Sequence, residues 1–196
     1  IIAFPRYLVA SYTTLGIVWA FSPAFELITV LFIGIIIDRY GRRKMLFLGL
    51  STGFMSLIFI GLTTNVYALA VINAFHGFSA AAILVSSLAL LADYVPESTR
   101  GREMGVFDFS NLFGWISGFA IGGLMLDVFA YDLRRIFFIA GGLGAIAFIY
   151  ALFTIEEPEI KRFISEEISL RRFAKVFTQK SILLLTLPWL IIYVLI

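Results

Sequence analysis

The sequence predicts an all-α membrane protein, and three observations carry that expectation. Hydrophobic residues make up 61% of the 196-residue chain and charged residues 14%, against roughly 25% charged in a soluble domain. The apolar residues fall in continuous runs, several of them beyond the ~20 residues a helix needs to span a bilayer, whereas barrel strands would alternate over about ten. Short polar turns separate the runs. One of them, residues 34–44, reads Gly-Ile-Ile-Ile-Asp-Arg-Tyr-Gly-Arg-Arg-Lys and carries five charges, all of them in residues 38–44.

Taken in order, residues 1–12 form a partial span, with Arg6 following Pro5. A full span over 14–37 contains Pro23 and Glu26 and ends at the charged turn. The span over 45–62 follows Arg42-Arg43-Lys44 and stops at the uncharged turn Thr63-Thr64-Asn65. The span over 67–92 runs into Asp93-Tyr94-Val95-Pro96. The span over 104–126 follows Arg100-Gly101-Arg102 and repeats glycine at 114, 118 and 122, and a last full span over 134–154 opens on Arg134-Arg135. Residues 155–181 are polar, yet Ile160, Phe163, Ile164, Ile168, Phe173, Val176 and Phe177 recur at roughly helical spacing among Lys, Arg and Glu. That pattern fits amphipathic helices on a membrane surface, or a solvated linker. Residues 182–196 are a second partial span. Both terminal runs are shorter than a crossing and read as cut helices of a longer protein.

The basic residues set an orientation. Arg39, Arg42, Arg43 and Lys44, then Arg100 and Arg102, then Lys161, Arg162, Arg171, Arg172, Lys175 and Lys180 fall on one side and account for most of the 15 Lys and Arg. That side, with loops 38–44, 93–103 and 155–181, is expected to be cytoplasmic in a multi-pass cell-membrane protein. A formal net charge of +2 gives no reason to expect a nucleic-acid partner. There is no cysteine and one histidine, so no metal or cofactor site is expected; without a Gly-x-x-x-x-Gly-Lys-Ser/Thr run there is no motif for an ATP-driven pump, and no enzyme is expected.

The turn has its own physics. Gly34 is small enough to admit a neighbouring helix, Asp38 stands where a helix ends, and Gly41 permits a tight reversal. A carboxylate among arginines can form charge-assisted hydrogen bonds that break as a unit. The pattern Gly34-x-x-x-Asp38-Arg39-x-Gly41-Arg42-Arg43-Lys44 resembles the loop between helices two and three of the major facilitator superfamily. Asp93-x-x-Pro96 with Arg100-Gly101-Arg102 resembles that family's loop between helices four and five, and Gly114-x-x-x-Gly118-x-x-x-Gly122-Gly123 its glycine-rich fifth helix.

The resemblance implies a major-facilitator-like six-helix half-bundle, from a partial helix one through the start of helix seven. Residues 1–154 would be the N-terminal half, 155–181 the central cytoplasmic loop and 182–196 the beginning of the second half, which would be the chain's missing partner. It also implies that Gly34, Asp38, Arg39, Gly41, Arg42 and Arg43 form a cytoplasmic gate together with Asp93. The chain departs from patterns within the family in three places, one being Glu156-Glu157-Pro158-Glu159 where sugar porters have a Pro-Glu-Ser-Pro-Arg-like stretch. Asn73 stands four residues before Gly77, where the family often has arginine, and Phe119 follows Gly118, where antiporters have proline; the departure at Phe119 weighs toward symport.

Polar residues inside the spans are the remaining candidates for substrate contact or proton coupling. Glu26 bears a carboxylate at bilayer depth, which costs roughly 2.5–3.5 kcal/mol on insertion scales, so it is either a proton-coupling or substrate-contacting acid or a structural acid paired within the bundle. Asp108 shares a helix face with Asn111, Gly114, Gly118 and Gly122, a face that lines a cavity or packs closely on another helix, with Asp108 expected to pair with Arg100 or Arg102. Asn73 and His76 share a stripe with Gly77, Ala80, Leu84 and Ser87. Arg6 either binds an anionic solute or snorkels to the surface. The expected function is secondary active transport of a small solute by alternating access, with protons as the coupling partner and the lipid bilayer as the surroundings. The alternative is a transporter-like sensor or membrane scaffold that does not transport.

Overall fold

The computed structural model describes residues 11–156, and the secondary structure among them is helical throughout. The five helices are α1 (Tyr12–Tyr40), α2 (Arg42–Leu62), α3 (Val66–Tyr94), α4 (Arg100–Val128) and α5 (Leu133–Thr154). Each is long and apolar enough to cross a membrane. The helices run past the apolar spans, so that Asp38, Arg42, Asp93 and Arg100 lie on helix rather than in turns. A helix satisfies its own backbone and need not stop where the apolar run stops. Expectations for residues 1–10, including Arg6, and for residues 157–196 lie outside the described residues.

The connections are short and locally determined. Gly41 alone joins α1 to α2, at φ 102°, and its N–H donates to the Ile37 carbonyl at 3.0 Å. A residue with a Cβ is strained at that φ. Between α2 and α3, Asn65 caps the helix it precedes: its Oδ1 accepts from the N–H groups of Tyr67 (2.8 Å) and Ala68 (3.4 Å). Asn65→Ala is expected to lower the stability of the protein by about 1 kcal/mol, seen as a lower midpoint in detergent-solubilised thermal unfolding. The α4–α5 turn passes through Ala130 and Tyr131 at positive φ, and Asp132 Oδ1 accepts from the Arg134 N–H at 3.2 Å.

Packing centres on α3. Helices α1 and α2 both lie against it, and α5 lies against α2. Ile33 and Ile37 of α1, Met45 of α2 and Ala81 and Ala82 of α3 form one buried cluster; Val18, Ile60 and Leu69 form another. The close approaches use glycine. A Cβ at Gly49 would stand 2.9 Å from that of Ala82, and one at Gly141 2.7 Å from Ile58 Cγ1. A Cβ at Gly77 would collide with the Ser22 carbonyl, with the Glu26 backbone nitrogen 3.0 Å away. Helix contact through small residues is how apolar helices associate where lipid is as apolar as leucine.

At two glycine positions singled out in the sequence, the described residues supply no close neighbour. A Cβ at Gly34 would meet nothing within 4 Å, so no described helix approaches there. The same holds for Gly114, Gly118 and Gly122, and α4 buries none of its residues among those described. Small-residue periodicity marks a face on a helix and says nothing about which element covers it.

Candidate functional site at the arginine-rich helix ends

Helices α1, α3 and α5 finish, and α2 and α4 begin, around arginines that α1, α2 and α4 supply: Arg39, Arg42, Arg43, Arg100 and Arg102. Arg42 and Arg43 occupy the first turn of α2, where a cation opposes the helix dipole. Acceptors at the C-terminal ends of other helices offset that cost. Arg42 pairs with the carboxylate of Asp93, the second-last residue of α3, through Nη1 and Oδ2. Its Nη2 lies 3.9 Å from Asp38 Oδ1, four residues back on the last turn of α1. The Arg42 and Asp93 side chains are 20% and 19% exposed, that of Asp38 47%. The Arg42–Asp93 pair is therefore the desolvated, shorter-range one, and Asp38 the screened, looser one.

The remaining members of the charged turn are divided between other partners. Arg43 donates from Nη2 to the Leu152 carbonyl at the end of α5 (3.1 Å) and lies 4.8 Å over the ring of Phe47. Arg39 is exposed and sits 5.8 Å from the ring centre of Tyr40. Sequence reasoning missed two residues here. Arg100 Nη2 donates to the Ala92 carbonyl at 3.1 Å, and the Tyr94 hydroxyl donates to the Glu156 carbonyl. Both reach backbone acceptors, which leave no trace in residue type; adjacency to Asp93 is the one sequence signal Tyr94 carries.

The intramembrane candidates are partly brought together. Gly77 of α3 rests on the α1 backbone at Ser22 and Glu26, so Glu26 stands at the α1–α3 crossing and is half-buried. On α3, Asn73 is fully buried; its Nδ2 donates to the Leu69 carbonyl at 2.9 Å, while its Oδ1 has no hydrogen-bond partner among the described residues. His76 Nδ1 is likewise buried without such a partner. No side-chain hydrogen bond joins Glu26 to either. Asp108 and Asn111 are exposed on α4. The expected pairing of Asp108 is not found among the described residues: Arg100 turns to Ala92, and Arg102 pairs with Glu103 at 3.1 Å. The carboxyl is two turns along α4 from these arginines, and nearer acceptors take them.

Residues 1–196 match the family model described as Major Facilitator Superfamily. The chain is 29% identical over 155 residues to "Multidrug resistance protein 2" of Bacillus subtilis (strain 168), an alignment covering 79% of this chain and 38% of that protein. It is 29% identical over 185 residues to "Multidrug resistance protein MdtG" of Rahnella sp. (strain Y9602), covering 91% and 43%. With "Quinolone resistance protein NorA" of Staphylococcus aureus it shares 28% identity over 145 residues, covering 74% and 37%. The chain thus spans less than half the length of these relatives. Five apolar helices of spanning length, their small-residue contacts and the match along the whole sequence converge: the chain belongs to the Major Facilitator Superfamily.

Proposed function

We propose that this chain is the N-terminal half, central loop and start of the second half of a secondary active transporter that moves a small solute by alternating access, with protons as the coupling ion. The observation that carries this reading is Arg42, held at the arginine-rich end between Asp93 on α3 and Asp38 on α1. A charge cluster of this kind forms and breaks as a unit, which suits a lock that closes one side of the pathway while the other is open. Under the positive-inside rule that side faces the cytoplasm. The absent half would supply the other wall of the solute site, and two halves would rock about it. The solute is carried unchanged, with no chemical step. The relatives' names speak of drug resistance. They favour a drug-like solute, and we take its movement to be outward in exchange for protons, against the symport suggested by Phe119.

Transport in proteoliposomes tests the reading. The full-length protein is expected to move a quinolone faster under an imposed pH gradient than without one; flux no greater than in protein-free liposomes would remove the proposal. Glu26 is the coupling acid in this scheme, an ionisable group within a span and beside the α1–α3 crossing. Glu26→Gln is expected to keep solute exchange and to lose at least tenfold in acceleration by the pH gradient, the size of one removed coupling group. Unchanged acceleration would take Glu26 out of the mechanism.

A further inference from the structure

The Arg42–Asp93 pair is flanked on both sides by residues that hold other helices. Three consecutive residues at the end of α3 engage three different segments. The Ala92 carbonyl accepts from Arg100 of α4, the Asp93 carboxylate pairs with Arg42 of α2, and the Tyr94 hydroxyl donates to the Glu156 carbonyl just past α5. Across the pair, Arg43 follows Arg42 and donates to the Leu152 carbonyl, also at the end of α5. Behind Arg43, the ring of Phe47 meets that of Phe148 of α5 edge-on, 6.1 Å between centres. Both partners of the ion pair are thus followed in sequence by a residue fastened to the same short stretch, Leu152 to Glu156.

We propose that Arg43 and Tyr94 are positioning residues for the lock: they fasten the exit of α5 to both sides of the Arg42–Asp93 pair, so that the end of α5 and the lock form and open together. The inference rests on the gate reading above. Consecutive side chains on a helix are about 100° apart, so pinning Tyr94 fixes the azimuth of the last turn of α3 and the direction in which Asp93 points. Arg43 does the same for Arg42 on α2. Any displacement of the chain leaving α5 is thereby delivered to the two residues beside the lock. Tyr94 is exposed and water competes for its bond, so the effect of each fastening is modest and graded, as fits a bias on the lock.

Tyr94→Phe is the discriminating variant, because it keeps the ring and removes only the hydroxyl. In a cysteine-free full-length protein in liposomes, one cysteine is placed at Leu84, on the Asn73–Ser87 stripe of α3, and labelled from the arginine-rich side with an impermeant maleimide. Tyr94→Phe is expected to raise the labelling rate about fivefold, the equivalent of one lost hydrogen bond, with Arg43→Gln moving it in the same direction. Combined with Asp93→Asn, Tyr94→Phe is expected to add nothing, since the pair it positions is already broken. Labelling of Tyr94→Phe at the wild-type rate, or a full extra factor on top of Asp93→Asn, would overturn the inference. If Asp93→Asn shifts labelling and Tyr94→Phe does not, this inference alone fails; if Asp93→Asn shifts nothing, the gate reading fails and takes this one with it.

Discussion

Asp93→Asn is expected to destabilise the protein by about 2 kcal/mol and to open the arginine-rich side about tenfold to an impermeant probe. Asparagine keeps the volume of aspartate and removes the charge. Arg42, with a side chain only 20% exposed, then loses its shortest ion pair, while Asp38 stays 3.9 Å away. Breaking a fully buried pair costs roughly 3–5 kcal/mol, and the remaining contact with water at the helix ends brings the figure down. Thermal unfolding and cysteine labelling read the two effects separately. Asp38→Asn is expected to do much less by either measure, because that carboxylate is 3.9 Å from Arg42 and about half exposed. An Asp38→Asn effect equal to that of Asp93→Asn would mean that the lock is held in common by both carboxylates rather than mainly by Asp93.

Gly77→Leu is expected to cost about 3 kcal/mol or more, enough to reduce sharply the yield of folded protein. The obstacle is backbone: a Cβ at Gly77 meets the Ser22 carbonyl and the Glu26 nitrogen, and neither can rotate aside as a side-chain end would. Helices α1 and α3 must separate, and Glu26 moves with α1. Gly77→Ala is expected to show the same change at smaller size, with weaker dependence of transport on a pH gradient accompanying the loss of stability. Wild-type stability in Gly77→Ala, measured by unfolding in detergent, would show that the α1–α3 crossing has room for a methyl group.

Much of the fold was legible because the membrane imposes a simple condition. Long apolar runs must be helices, since only a helix satisfies its backbone without neighbours in lipid. The five spans emerged from runs such as 67–92 with no tertiary information. Their ends did not, because a helix continues into the polar zone until its hydrogen bonding is interrupted, as at Gly41 or the Val95-Pro96 break. The glycines divide in the same way. Gly49, Gly77 and Gly141 sit at close contacts, whereas a Cβ at Gly34 or along the Gly114–Gly122 stripe would meet nothing within 4 Å among the described residues.

The candidate site shows the same division in finer detail. The family resemblance implies that Asp38, Arg42 and Asp93 act together, and the folded chain brings both carboxylates within ion-pair distance of Arg42. Which carboxylate dominates was not legible, for it depends on how far each is shielded from water. Nor was the diversion of Arg43 to α5, or the hold of Tyr94 and Arg100 on backbone carbonyls, because every residue offers a carbonyl and sequence does not distinguish one from another. His76 and Asn73 were visible as polar residues in an apolar helix, but their unpartnered buried atoms appear only once neighbours are placed.

By itself, then, the sequence determined that this chain is a set of membrane-crossing helices, where the crossings lie, and which arginines and carboxylates gather at one end. Those properties follow from hydropathy and charge along the chain, which act locally. Only the tertiary structure decided that α3 is the shared neighbour of α1 and α2, that Arg42 binds Asp93 more closely than Asp38, and that the end of α5 is tied to both sides of that pair. These depend on interhelical distances of a few ångströms and on exposure to water, set by the packing of helices far apart in sequence.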